Sequence, residues 1–518
     1  MTDQIPSTDT IRKLSNYIEQ NTRASETSGI TYIDPKSHKQ RILLNQNHII
    51  FGRRGAGKSS LIKTLKDNMT VTDGYLYAYV NMEDFKDASF PNVLIHVLNA
   101  FKADLSHQLE RKTRFYQLSR LWKNRKVISI LKNAIDKFEK EIDKPDSYQE
   151  SVSSKNSESE STSATVTYQI LAANASYATG TEIQTQSTLP RDKLEKLRNA
   201  IPKLKGTIKN IQDYYPDKSI FLIIDDLYFL KKPDQLLLID FFHRLTKDTR
   251  LFLKVATIRH RSKIYARMHG SYFGTEIGHD VQVIDLDYNL NSLDELKAFM
   301  RSLIDECSRQ CKISFNLDEV FSSGAFTQLC LASGGVPRDF LTLFVQVSNN
   351  YDEKSSRKIN KTAINEAAIQ NMQGKQLNLR TDSSEEKEIL EQHLAYIKKV
   401  IISEKKVNMF LVSNSEIERF PQIRQAIKEL VDLRMLHLVE PDTSAASSVS
   451  GQRYSAYMVD IGLYPSSMMM NFRELDPGVK DRQGIKNEMR SAPKLDLDDY
   501  SKYIASQNLK GHLVVTEE

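Results

Sequence analysis

"HIIFGRRGAGKSSLIKTLK", residues 48–66, decides how the rest of the chain is read. Ile49, Ile50 and Phe51 make a short buried strand, and Leu61, Ile62 and Leu65 have the spacing of a helix. Between them, Gly52, Gly57, Lys58 and Ser59 satisfy G-x-x-x-x-G-K-[ST]. A glycine-rich turn at this junction lets consecutive backbone N–H groups face phosphate oxygens, an approach that side chains would block. Gly52, Gly55, Ala56, Gly57, Lys58, Ser59 and Ser60 are therefore expected to bind ATP. Lys58 would reach the outer phosphates, Ser59 would ligate Mg²⁺, and the positive end of the following helix would face the anion. Arg53 and Arg54 read as solvated surface arginines that the turn tolerates, contact with phosphate or a neighbouring subunit being the other reading.

A second segment supplies what such a turn lacks. "SIFLIIDDLYFL", residues 219–230, is an apolar run ending in two acids, as expected of a buried parallel strand that completes an ATP site. Asp225 would orient Mg²⁺ through water, and Asp226 would act on the attacking water. A further apolar strand, "LFLKVAT" at 251–257, runs into "IRHR". Thr257 stands where a polar group senses the γ-phosphate, and Arg259 or Arg261 would neutralise transition-state charge, in cis or across a subunit boundary. His260 is given no role.

The whole chain sets the frame. Its 518 residues suggest about three domains. With 40% hydrophobic and 27% charged residues the composition is that of an ordinary globular protein. No apolar run approaches the roughly 20 residues a membrane helix needs, and "MTDQIPSTDT" has neither a basic start nor an apolar core, so a cytoplasmic protein with no membrane partner is expected. Cys307, Cys311 and Cys330 are too few for a disulfide framework. Cys307 and Cys311, four apart on an expected helix, have the spacing to seat a metal, but with no second pair nearby they read as buried thiols. The net charge of +6 permits a polyanionic partner without demanding one.

Along the chain, residues 1–40 read as an N-terminal adapter with a helix around Ile11–Ile18, and 41–285 as an α/β core with a parallel sheet. "GYLYAYVNME", 74–83, is its second strand. An insertion at about 93–210 begins helically, with Val97, Phe101, Leu105 and Leu109 on one face. Residues 111–126 hold seven basic and no acidic side chains, with Phe115, Tyr116 and Trp122 among them. That pattern suits a single-strand binding surface and a partner-docking helix equally. Eight serines follow between 147 and 163, and the stretch 145–190 carries one lysine against five acids. It reads as a loop or β-hairpin touching another subunit, or as a disordered linker.

The order of these parts resembles the AAA+ ATPases, particularly the branch of replication initiators of the origin-recognition type and their bacterial relatives. "GRRGAGKSS", "FLIIDD", the Thr-x-Arg of "ATIR" and "SGGVPRDFL" at 333–341 carry the resemblance. It implies a helical lid over 286–375, with Leu293, Leu296, Met300 and Leu303 on one helical face and with Arg338 touching the nucleotide. It also implies a winged helix over 380–465, in which Leu390, Leu394, Ile397 and Ile401 form one stripe and the helix bearing Arg424 and Lys428 enters duplex DNA. The tail 466–518 falls outside the resemblance and reads as disordered or as docking a partner.

Two departures stand out: Ser59 and Asp225 are 166 positions apart, and Asp226 occupies a place where glutamate is common in the wider class. The functions implied are an ATP-hydrolysing switch that forms homo-oligomers and engages DNA, in a setting such as phage defence, or a nucleotide-gated scaffold recruiting an effector protein encoded nearby.

Overall fold

The computed structural model describes residues 8–22, 29–71, 74–111, 118–142, 191–268, 271–351, 358–381, 385–446, 451–465, 471–478 and 487–515. The chain forms two compact units, one from Lys36–Gly52 and Lys58–Leu286, the other from Met1–Pro35, Arg53–Gly57 and Asp287–Glu518.

Helix α1 (Thr8–Asn21) belongs to the second of these units and strand β1 (His48–Phe51) to the first. In the first unit β1 is followed by α2 (Lys58–Val71), β2 (Tyr75–Asn81), α3 (Phe90–Arg111), α4 (Leu118–Ile142), α5 (Arg191–Asn199) and α6 (Ile201–Tyr214). After these come β3 (Ser219–Asp225), α7 (Lys232–Thr246), β4 (Leu251–Thr257), β5 (Tyr265–Met268), β6 (Ser271–Gly274) and β7 (Gln282–Asp285). Five strands form one parallel sheet in the order β2-β3-β4-β1-β7. All seven residues of β3 are buried, as a strand covered on both faces requires, whereas edge strand β2 alternates buried Leu76, Ala78 and Val80 with half-buried tyrosines. Parallel pairing places the ends of these strands along one rim of the sheet: Phe51 lies opposite Thr257, and Asn81 opposite Asp225. In such sheets that rim is where ligands bind.

A lysine is among the polar side chains buried in this unit. Lys254 is fully buried, and its ammonium donates to the carbonyls of Leu44 and Gln46, each at 2.8 Å, and lies 2.9 Å from His48 Nδ1. Burial and that ammonium lower the His48 pKa to about 3, so the imidazole is neutral and can accept.

The second unit packs α1 with α8 (Leu293–Gln310), α9 (Ala325–Ala332), α10 (Pro337–Asn349) and α11 (Lys361–Thr381). Ile11, Leu14 and Ile18 of α1 share a core with Leu293, Leu296, Met300 and Leu303 of α8. Next come α12 (Glu385–Ile397), a π-helical turn over Lys398–Glu404, β8 (Met409–Ser413), α13 (Pro421–Asp432), β9 (Leu436–Thr443) and β10 (Tyr454–Val459). The last three strands form an antiparallel sheet in the order β8-β10-β9.

The tail corrects an expectation. Helix α14 (Leu497–Val515) packs on α12, with Tyr500 fully buried, stacked on Tyr396 at 4.3 Å and 2.9 Å from His393 Nδ1. A buried tyrosine contributes large apolar area and needs one polar partner, which His393 provides. Cys307 and Cys330 are buried and Cys311 is half-buried; among the described residues no group of three His, Cys, Asp or Glu is placed to hold a metal. Among them, too, no helix is long and apolar enough to cross a membrane. The serine-rich stretch, Phe115 and Tyr116 lie outside the described residues.

Candidate nucleotide site

The turn after β1 has the backbone its composition allows. Gly55 and Gly57 take φ of +86° and +98°, the left-handed region open chiefly to glycine. A Cβ on Gly55 would stand 2.7 Å from the Arg338 Cβ, and one on Gly57 would face the Tyr32 ring at 3.6 Å. The Gly52 N–H donates to the Thr257 carbonyl at 3.3 Å, which ties the start of the turn to β4. Helix α2 begins at Lys58, whose ammonium donates to the Gly52 carbonyl at 3.1 Å and lies 3.9 Å from Asp226 Oδ1.

The acid pair lies at the end of β3. Asp225 is 2% exposed, and three donors converge on its carboxylate: the Ser59 hydroxyl (3.3 Å) and the Tyr79 hydroxyl (3.4 Å) on Oδ2, and the Asp226 N–H (2.9 Å) on Oδ1. Burial and the charge of Asp226 nevertheless push its pKa up to about 6, against the opposing pull of Lys58 and the donors. Asp226 has φ of +51°, which turns the chain sharply out of the strand. Two carboxylates and a hydroxyl, all hard oxygen donors and short of positive charge, make a donor set that fits a divalent cation such as Mg²⁺. Tyr79 escaped sequence reading, because its alternation marked only a strand; the β2–β3 register is what brings it beside Asp225.

The remaining candidates occupy distinct surroundings. Thr257 is fully buried, and its hydroxyl pairs with that of Ser262. Arg259 is 2.7 Å from Asp285, with both side chains 46% exposed, and its guanidinium lies 4.1 Å from the Phe51 ring centroid. Arg53 overturns the surface reading: it is 9% exposed, its main-chain N–H and Nε both donate to Asp287 Oδ1 (2.9 and 3.3 Å), and Nη2 donates to the Tyr288 carbonyl at 3.3 Å. Nothing within the turn itself could have announced a partner 234 positions away.

Arg338 opens α10, and its N–H donates to the Gly55 carbonyl at 3.3 Å. The next residue, Asp339, is buried and ion-paired to both Lys375 (2.9 Å) and Arg434. In α13, Arg424 pairs with Glu418, and Lys428 is half-buried one turn further on.

A parallel sheet whose first strand opens into this turn, with a pair of acids, the first of them buried, at the end of a strand of the same sheet, defines a P-loop nucleotide-binding protein of the AAA+ type. The ORC-CDC6-like family profile matches residues 22–326, more than half of the chain, and the chain belongs to that family. Membership brings, at the level of the family, ATPase activity and a nucleotide-dependent, DNA-related function. Among solved structures, the chain is similar to the Drosophila ORC bound to DNA (9% identity, TM-score 0.33, covering 89% of this chain and 92% of that one). It is also similar to a Walker-type ATPase of Pyrococcus abyssi (10%, 0.34, 89% and 95%) and to the Aeropyrum pernix Orc1 protein in complex with DNA (12%, 0.31, 89% and 92%). No curated protein matches the chain.

Proposed function

We propose that this protein binds and hydrolyses ATP with Mg²⁺, and that the bound nucleotide governs its assembly with further copies of itself and with duplex DNA. The observation that carries the reading is the meeting of Lys58, Ser59, Asp225 and Asp226 in one cluster, with Lys58 and Asp225 buried. The N–H groups of the turn at 52–59 would take phosphate oxygens, with Lys58 moving from the Gly52 carbonyl to the outer phosphates. Ser59 and Asp225 would hold Mg²⁺, which when bound supplies charge neutralisation on the phosphates. Asp226 would orient the attacking water and accept its proton, Thr257 would report the γ-phosphate, and Arg259 would leave Asp285 to meet transition-state charge. Arg338 would contact the nucleotide from the first turn of α10.

Loss of ATP turnover in Lys58→Ala, together with a particle mass that grows on adding a non-hydrolysable ATP analogue, is the expected result. A chain that binds no nucleotide ends the proposal.

The order helix, strand, helix, strand, strand over 385–459 supports a winged helix, with α13 as the helix for the major groove. Arg424 and Lys428 would contact phosphates. The ion pair of Arg424 with Glu418 favours a second reading, a nucleotide-gated scaffold that recruits an effector encoded nearby and leaves DNA alone. Retention on duplex DNA decides between them: each phosphate contact removed with Arg424→Gln or Lys428→Gln should flatten the plot of log affinity against log salt by about 0.9. The long insertion between Ser59 and Asp225 favours phage defence as the setting, and lost plaque protection in a Lys58→Ala strain would test it.

A further inference from the structure

The β5–β6 hairpin takes no part in the steps above, and its two faces differ in kind. Ile264, Ala266 and Phe273 join the sheet's core, and the hairpin packs on α7. A Cβ on Gly274 would stand 2.0 Å from the Ile264 carbonyl oxygen and 2.7 Å from Leu236, so the ribbon is seated closely. The period of two then puts Tyr265 and Arg267 of β5 on the other face, about 6.6 Å apart. Tyr272 lies opposite Arg267 in the register.

This outer face is a basic and aromatic row. Tyr272 is 57% exposed, the Arg267 guanidinium lies 5.2 Å from its ring centroid, and the Tyr265 ring lies 6.0 Å away, tilted by 30°. Relative to the rest of a protein surface, tyrosine and arginine are enriched where a partner is met. Charge indicates which partner. From Arg259 to Arg267 the chain has four Lys or Arg and no acid, and of these Arg259 is matched by Asp285. Lys263 is partly buried beside Lys232, and burial and that second ammonium lower its pKa. Among the described residues neither lysine has a carboxylate within ion-pair distance. Of the acids that follow, Asp280 accepts the Glu276 N–H and faces His243 at 3.5 Å. The Arg267 guanidinium beside open tyrosine rings complements a polyanion that carries flat, unstacked rings.

We propose that the outer face of this hairpin binds single-stranded nucleic acid, with Tyr265 and Tyr272 stacking on bases and Arg267 taking phosphate. A duplex hides its base faces, so the tyrosines fit a single strand. The proposal does not depend on the duplex contact proposed for α13.

Fluorescence anisotropy of a labelled oligothymidine with the full chain tests this. Tyr272→Ala is expected to weaken binding about tenfold and Tyr272→Trp to preserve it, since stacking needs a ring and not a hydroxyl. Arg267→Gln should flatten the salt dependence by about 0.7. ATP turnover and thermal stability should stay at wild-type values in all three, and Arg424→Gln should leave oligothymidine binding unchanged whether or not it affects duplex retention. The proposal is overturned if the wild-type chain does not bind the oligonucleotide, or if Tyr272→Ala and Tyr272→Trp behave alike. It is equally overturned if Tyr272→Ala abolishes self-association by light scattering while oligonucleotide binding persists, which would make the face a protein interface.

Discussion

Ser59 Oγ lies 3.3 Å from Asp225 Oδ2 although 166 positions separate the two residues. The parallel sheet closes that gap, because β1 and β3 flank β4 and all three end on the same rim. Lys58 sits beside the pair with its ammonium on a backbone carbonyl, a weak partner that phosphate would replace. Lys58→Ala should therefore abolish detectable Mg·ATP binding by calorimetry while the apo protein unfolds at an unchanged temperature.

Asp225 and Asp226 are adjacent but differ in burial, 2% exposure for the first and an outward, left-handed backbone for the second. Asp226→Asn is expected to spare ATP affinity and lower turnover by about 10²-fold or more, the range for removing a general base. Asp225→Asn should instead remove the Mg²⁺ dependence of binding. Single-turnover kinetics with unchanged rates in Asp226→Asn would refute the assignment.

Gly55 joins a positive φ to close contact with Arg338. Gly55→Ala must both occupy the left-handed region and displace the Arg338 Cβ, at a cost of roughly 1–3 kcal/mol. The expected outcome is a lowered melting temperature together with weakened ATP binding; Gly278→Ala, where a Cβ meets nothing within 4 Å, is the control for backbone strain alone.

Asp339 neutralises two cations whose side chains are only 16% (Lys375) and 20% (Arg434) exposed. Asp339→Ala would strand both, and removing one partner of a buried ion pair costs about 3–5 kcal/mol. Urea unfolding should show the loss. Asp339→Leu combined with Lys375→Met and Arg434→Met should recover most of it, because the uncompensated charges go as well.

His393 carries a pH dependence of defined sign. Burial lowers its pKa to about 4, so the fold favours the neutral ring, whose Nδ1 pairs with the Tyr500 hydroxyl. Stability from this group is fully present above the unfolded value near 6.5 and is lost as pH falls through 4, by roughly 3 kcal/mol for a shift of about 2.5. Relative to His393→Gln, which cannot charge, the wild-type chain should lose urea resistance between pH 6.5 and 4, with amides of α14 exchanging first.

Much of the fold was legible because its signals are local. A buried parallel strand is a continuous apolar run, so β1, β3 and β4 could be read directly, and the alternation in β2 marked it as a strand. Shorter elements were missed: β7 and the β5–β6 hairpin span four residues each, too few to display a period.

The sequence by itself determined that a glycine-rich turn between strand and helix and an acid-ended strand exist, since each is written within about ten consecutive residues whose steric and polar character admits few conformations. Only the tertiary structure decided their company: Tyr79 on Asp225, Asp287 on Arg53, Lys375 and Arg434 on Asp339, and Tyr500 beneath His393. These partners are chosen by sheet register and helix packing, which depend on where distant segments come to rest and leave no trace in the spacing of neighbouring residues.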